Sequence, residues 1–294
     1  MLTFSIVTPS LNQGEYIERT IRSVLDQDYA AIEYVVCDGG STDQTARVLS
    51  QFAARLRLIA GPDSGQANAV NKGIHATTGE VIGWLNSDDV YRPGAIARAA
   101  AFLTEHPDVD LVYGDADLVD AHDNPLGRYG TEPWRPERLP VRPILCQPAV
   151  FFRRRLVQRF GPLDDTLRYC MDYEYWLRFA AGGARFAYLP EVLAASRIHP
   201  DTKTQRDRLA IHIELNTMLR RRLGNVPASW LVNHAYTLTE LSRQSGRAPP
   251  LPFVIQAILV SLVLSWRWNR SISRELLADS ARRLGGSARK LLTT

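Results

Sequence analysis

The strongest constraint on this chain is an alternation that runs through roughly its first 120 residues. A short apolar run, a polar loop and an amphipathic stretch follow one another repeatedly. Phe4-Ser5-Ile6-Val7 ends in Thr8-Pro9-Ser10, and Ile32 to Cys37 ends in Asp38-Gly39-Gly40-Ser41. Leu56 to Ala60 ends in Gly61-Pro62, and Val81 to Leu85 ends in Asn86-Ser87-Asp88-Asp89. Between them Tyr16, Ile17, Ile21, Val24 and Leu25 recur at helical steps, as do Ala46, Leu49 and Phe52, then Ala67, Val70 and Ile74, and Pro93 opens a further helix to about Glu105. Strands alternating with helices at this spacing predict βαβ units and a mainly parallel sheet. In such sheets ligands bind beyond the carboxyl ends of the strands. Four polar clusters fall on that edge: Thr8 to Asn12, Asp38 to Asp43, Asp63 to Asn71 and Asn86 to Asp89. Turns explain the Gly and Pro there. They explain the repeated carboxylates less well, because like charges repel unless a cation or donors compensate.

Composition removes several classes. Apolar residues at 45% and charged residues at 22% exclude a disordered chain. The three cysteines, Cys37, Cys146 and Cys170, are far apart and form no CxxC pair, so neither a disulfide framework nor a zinc knuckle is expected. With no basic segment before the first strand, a cytoplasmic location is expected. The net charge of +4 is concentrated late: from Arg267 onward there are seven Lys/Arg against two Asp/Glu, a local net of +5. The remainder is near neutral, which argues against nucleic acid as a partner. No GxGxxG follows the first strand, so a dinucleotide dehydrogenase is excluded.

After about residue 120 the alternation decays. Residues 120 to 145 read as a substrate-shaping loop, Gln147 to Phe152 as a strand, Arg153 to Phe160 as a short helix, and Asp172 to Ala181 as a strong helix with Tyr173, Trp176, Leu177 and Ala180 on one side. Residues 205 to 243 read as helical. The apolar run from Leu251 to Trp266 is shorter than the roughly 20 residues a spanning helix needs. It leaves three readings: a packed or homodimerising helix, an interfacial membrane helix, or a span. The basic segment behind it points to peripheral contact with an anionic membrane, at the inner face of the cell membrane. Gly and Arg around 282–290 predict a loose tail.

Val7-Thr8-Pro9-Ser10-Leu11-Asn12, Asp38-Gly39-Gly40-Ser41-Thr42-Asp43 and Asn86-Ser87-Asp88-Asp89, in that order, resemble the motifs of family 2 glycosyltransferases of GT-A fold. Gln147-Pro148-Ala149-Val150-Phe151-Phe152, Met171-Asp172-Tyr173-Glu174 and Arg197-Ile198-His199-Pro200 resemble that family's acceptor-side segments. The resemblance covers residues 3 to 205. It implies a Rossmann-like α/β catalytic domain over 1–205, with sugar-nucleotide binding in about 1–115 and the acceptor side in about 116–205. Residues 206–294 form a helical C-terminal extension outside it.

The resemblance also implies roles. Thr8, Pro9, Asn12 and Ser41 belong to the nucleotide pocket. Asp38 takes the base, since a carboxylate can accept a base imide or amino N–H. Asp63, Gln66 and Asn71 flank a helix N-terminus suited to phosphate. Asn86, Ser87 and Asp88 stand where the family has its DxD motif, with Asn86 replacing the first Asp; Asp88 and His199 are then the expected ligands of Mg²⁺ or Mn²⁺. Val70 occupies a place where the family often has Arg. Asp172 is the base of an inverting transfer from a nucleoside diphosphate sugar, UDP- or dTDP-linked, to a hydroxyl of a glycan or lipid-linked acceptor in bacterial surface polysaccharide synthesis. Trp134, Gln147, Arg153 and Glu174 are candidate acceptor contacts. Two other readings remain at this point: a non-catalytic sugar-nucleotide-binding scaffold of the same fold, and a nucleotidyltransferase. The second would want a basic Gly-rich loop after the first strand, where Pro9 to Gly14 has no Lys or Arg.

Overall fold

The computed structural model describes residues 1–239 and 251–291, and the chain divides into two compact units. One comprises 1–139 with 143–200, the other 140–142 with 201–294.

The first unit is built on a nine-stranded sheet among the described residues. Its first half is parallel: β3 (Arg57–Ala60), β2 (Ile32–Asp38), β1 (Phe4–Ser10) and β4 (Val81–Trp84), side by side in that order. Every residue of β1 is buried, as a strand covered on both faces requires. On one face Phe4, Ile6 and Val36 pack with Ile17, Ile21 and Val24 of α1 (Ile17–Leu25) and with Ile96, Ala99 and Leu103 of α4 (Ala95–Glu105). Behind α1 lies α2 (Thr45–Ser50). On the other face α3 (Gln66–His75) lies so close that a Cβ at Gly73 would stand 2.3 Å from Val7 Cγ1.

The second half of the sheet is mixed. β8 (Val150–Arg153) runs antiparallel to β4 and to β6 (Leu111–Val119); β9 (Phe186–Arg197) runs parallel to β6, and β5 (Val90–Tyr91) antiparallel to β9. β7 (Pro125–Arg128) closes a hairpin on β6. A parallel neighbour needs a crossover, usually helical, and the stretch between β7 and β8 contains only a 3₁₀ turn at Gln147–Ala149, so β8 enters from the other end. The expected strand over Gln147–Phe152 is therefore shorter, and the loop over 120–145 contains β7. β5 and β9 were not expected at all. β9 is interrupted by Pro190 and Glu191, where the register jumps from Gly114↔Leu189 to Asp115↔Val192. A proline cannot donate to the ladder, and the bulge sets it aside. α5 (Arg154–Phe160) and α6 (Met171–Ala181) follow β8, with Tyr175, Trp176 and Phe179 of α6 packed around Phe152.

The second unit is helical: α7 (Lys203–Arg206), α8 (Arg208–Leu223), α9 (Ala228–Leu238), α10 (Leu251–Asn269) and α11 (Arg274–Leu291). The segment 140–142 is tied into it by Ser229 Oγ donating to Val141 O and Trp230 Nε1 to Pro140 O. Asn269 exchanges two hydrogen bonds with the backbone of Val226. Between α8 and α9 the His212 and His234 rings stack at 5.3 Å, and Asn216 holds His234 Nδ1 at 2.9 Å. The loose tail expected over 282–290 is instead part of α11. The end of the helical stretch expected over 205–243 lies outside the described residues.

Candidate active site

The strand ends align because the register does: Ser10 lies opposite Asp38, and Asp38 opposite Ala60. The polar clusters after β1 to β4 therefore share one edge of the sheet. Asp38 is buried, and its carboxylate takes the Ser41 hydroxyl and backbone N–H. Asn12 (φ 54°), in the left-handed region that Asn tolerates, braces this loop: its amide oxygen accepts Thr42 N–H, and its own N–H donates to Ser41 Oγ. Asp43 is occupied separately, by the N–H groups of Thr45 and Gly14; burial works against its ionisation, yet these donors hold its carboxyl below the usual range. Thr8 is buried against the Tyr34 hydroxyl.

From Asp38 the site continues without a break. A Cβ at Gly39 would meet the Asp63 carboxylate at 2.6 Å, so Gly39 is what lets that acid lie beside Asp38. Asp63 accepts Gly65 N–H, and the next residue, Gln66, opens α3 and donates to Asn86 Oδ1 at 2.7 Å. Trp84 Nε1 donates to the same oxygen at 2.8 Å, while the Asn86 amide nitrogen donates to Gln147 Oε1 and Asp89 Oδ2. Gln147 closes the ring by donating to Trp84 O. The Asn86 amide is thus engaged at both ends, between Gln66 and Trp84 on its oxygen and Gln147 and Asp89 on its nitrogen.

Asp88 faces His199, with Nε2 at 3.3 Å from Oδ2. His199 is buried and lies on the Tyr16 ring at 4.5 Å. Asp89 is buried and takes the Arg197 N–H at 2.9 Å. Burial, reinforced by the Asp88 charge, pushes its carboxyl far above the ordinary range. It is not a helix cap: α4 begins at Ala95 behind Gly94. Arg197, also buried, spans to Asp88 O, Asp120 O and Asp123. Thr20 donates to the carbonyls of Ser87 and Asp89. Arg197 and Tyr16 are the functional supports that sequence reasoning missed; Arg197 was quoted only as part of a motif.

Asp172 begins α6 half-buried and accepts the Tyr173 N–H at 2.7 Å. Burial pushes the nearby Cys146 thiol up, and the charges of Asp89 and Asp172 both add to the effect.

Several expected contacts are elsewhere. Arg153 pairs with Val81, the first residue of β4, at the opposite edge, and spends its guanidinium on the carbonyls of Val109 and Leu103. Trp134 stacks at 4.1 Å on Phe186, which pairs with Leu111 at that same far edge. Glu174 is fully buried and paired with Arg178 at 2.9 Å. Asn71 bonds both the carbonyl and the N–H of Leu163. Each is held by a backbone, ring or guanidinium partner instead. Gln147 alone of the four acceptor candidates lies at the site.

A divalent ion fits what remains. Among the described residues no three His, Cys, Asp or Glu side chains gather around one point. Asp88 and His199 supply two donors. Such cations commonly take few protein ligands and complete their shell with phosphate and water.

A parallel first half, a mixed second half and polar clusters along one edge fit a GT-A type glycosyltransferase fold. The family model for glycosyl transferase family 2 matches residues 5–161, and the chain belongs to that family; it is a glycosyltransferase. It is 33% identical over 198 residues to a "PGL/p-HBAD biosynthesis glycosyltransferase" of Mycobacterium tuberculosis, covering 66% of this chain and 75% of that protein. It is 29% identical over 208 residues to an uncharacterized glycosyltransferase of Rickettsia prowazekii, covering 66% and 64%. Two solved structures share the fold. One is S. aureus TarS in complex with UDP-GlcNAc (TM-score 0.61, 19% identity, covering 88% of this chain and 79% of that one). The other is the mannosyltransferase PcManGT of Pyrobaculum calidifontis in complex with GDP-Man and Mn²⁺ (TM-score 0.58, 20% identity, covering 99% and 87%).

Proposed function

We propose that the chain transfers a sugar, with inversion, from a nucleoside diphosphate donor to a hydroxyl of a glycan or lipid-linked acceptor in the assembly of a bacterial surface glycan. The observation that carries this is the continuous line along one sheet edge: Asp38, Asp63, Gln66, Asn86, Gln147, then Asp88 with His199. Asp38 recognises the base, within a pocket that Thr8, Pro9, Asn12 and Ser41 shape. The α3 N-terminus, opened by Gly65 at φ 129°, faces the diphosphate. Asp88 and His199 would hold a divalent cation, which would offset the charge of the departing diphosphate.

Asp172 takes the proton of the acceptor hydroxyl. The acceptor oxygen forms its bond to the anomeric carbon while the bond from that carbon to the diphosphate oxygen breaks, and the diphosphate leaves with the electron pair on the opposite face. One carboxylate suffices, because no covalent intermediate is made. Gln147, locked between Trp84 and Asn86, borders the space between donor and base. The complexes of the two structural neighbours with UDP-GlcNAc and GDP-Man support a sugar-nucleotide donor here, and the name of the mycobacterial relative supports a glycoconjugate acceptor.

Thermal unfolding with UDP, dTDP or GDP, each with and without Mn²⁺, tests the reading. One nucleotide with Mn²⁺ should raise Tm, and Asp88→Ala should remove the Mn²⁺-dependent part. No shift with any nucleotide refutes it.

A further inference from the structure

One face of α10 is covered and the other is bare. Val254, Ala257, Ser261, Leu264 and Ser265 are buried, and α10 packs on α9 and α11. Ile255, Leu259, Val263 and Trp266 stand 43%, 58%, 68% and 58% exposed. Steps of four, four and three residues place these four in a single stripe. The stripe ends at Arg267, Trp268 and Arg270, which with Val263 and Trp266 line an open hollow of about 560 Å³. The Trp268 indole N–H, buried there, has no acceptor among the described residues.

By length and composition α10 is able to cross a membrane, with a mean hydropathy of 1.6. Its packing argues against doing so. The helices along its buried face carry His234, Asp279 and Arg283, the last two paired at 2.6 Å. A span would carry these polar groups into hydrocarbon. A second copy of the chain fits the stripe poorly as well. A two-fold axis sets the same patch against itself, and Leu251–Asn269 contains no Asp or Glu to meet Arg267 and Arg270. Lipid phosphates provide that counter-charge, and a Trp-bearing apolar stripe suits the boundary between headgroups and acyl chains.

We infer that this face docks, lying in the plane, on an anionic lipid surface. Ile255, Leu259, Val263 and Trp266 enter the acyl boundary; Arg267 and Arg270 rest on phosphates; and Trp268 donates to a headgroup oxygen. The inference is independent of the transfer reaction, because none of these residues lies at the sheet edge described above.

Co-sedimentation of the full chain with vesicles of phosphatidylcholine, alone or mixed with phosphatidylglycerol, tests it. An arginine near an anionic surface multiplies binding roughly fivefold. The mixed vesicles should therefore bind at least about tenfold more tightly than neutral ones, less so as salt rises, and tryptophan emission should shift to the blue. Leu259→Glu with Val263→Glu, and separately Arg267→Gln with Arg270→Gln, should each lower binding about tenfold while circular dichroism and sugar-nucleotide hydrolysis stay unchanged. If the apolar pair fails to fold, the arginine pair still decides. Alkaline carbonate should strip the protein from the vesicles; retention would mean a span and overturn the proposal. Equal binding to both vesicles, or binding to neither, overturns it too. So does an apolar-pair variant that turns a wild-type dimer into a monomer while its vesicle binding is unaltered.

Discussion

In the proposed transfer, the role of Asp172 turns on one proton. Asp172→Asn keeps the acceptor oxygen that receives Tyr173 N–H but cannot act as base. The turnover rate should fall by about 10²–10⁴ while the nucleotide Kd changes by less than about twofold; single-turnover kinetics alongside calorimetric titration separates the two, and parallel losses would remove the assignment. Asn86 makes a different case. Its amide donates to Gln147 and Asp89 and accepts from Gln66 and Trp84. Asn86→Asp would restore the family's usual acid but strip both donors and put a carboxylate against buried Asp89. Stability should drop by roughly 1–3 kcal/mol in urea unfolding, so at this position the more ordinary residue is the worse one. The local patterns put Asp38 and Asn86 at the ends of parallel strands, and the structure sets Asp88 against His199. The groups expected at the acceptor from Arg153, Trp134 and Glu174 are taken up by other partners, which neither a motif nor a loop position reveals. Arg153 depends on β8 running antiparallel, a property of the whole sheet and not of its neighbours in sequence.

Among the elements, α3 is pinned close against the sheet. Gly73 lets it rest on β1 and β2, with Val7 and Cys37 where a side chain would be. Gly73→Ala should cost about 1–3 kcal/mol by overpacking. Because α3 also carries Gln66, donor affinity should weaken with it, measurable by titration of the folded variant. The parallel strands and their helices were legible because each is a local pattern, continuous apolar run or helical stripe. β9 was not: Pro190 breaks its pattern, and its pairing with β6 joins segments 75 to 78 residues apart, from Leu111↔Phe186 to Val119↔Arg197. β5 is two residues long and exists only because β9 is there to receive it.

For the molecule as a whole, pH acts on the helical unit through its histidines. Burial, with the neighbouring His234, lowers the His212 pKa from 6.5 to about 4, and burial lowers that of His234. Between those values the unfolded chain binds more protons than the folded one, so stability is lost as pH falls through the window from 6.5 toward 4. The loss should be on the order of 2 kcal/mol, seen as a falling Tm, and His212→Gln should flatten that slope. The catalytic unit has a dependency of another kind. Asp89 is satisfied by the backbone of Arg197, 108 residues onward, and Asp88 by His199 beyond it. A nascent or clipped chain that stops short of β9 keeps Asp38 but lacks the partners that hold Asp89 and Asp88. On the proposed reading, an incomplete copy would have no capacity to squander activated sugar until β9 is in place.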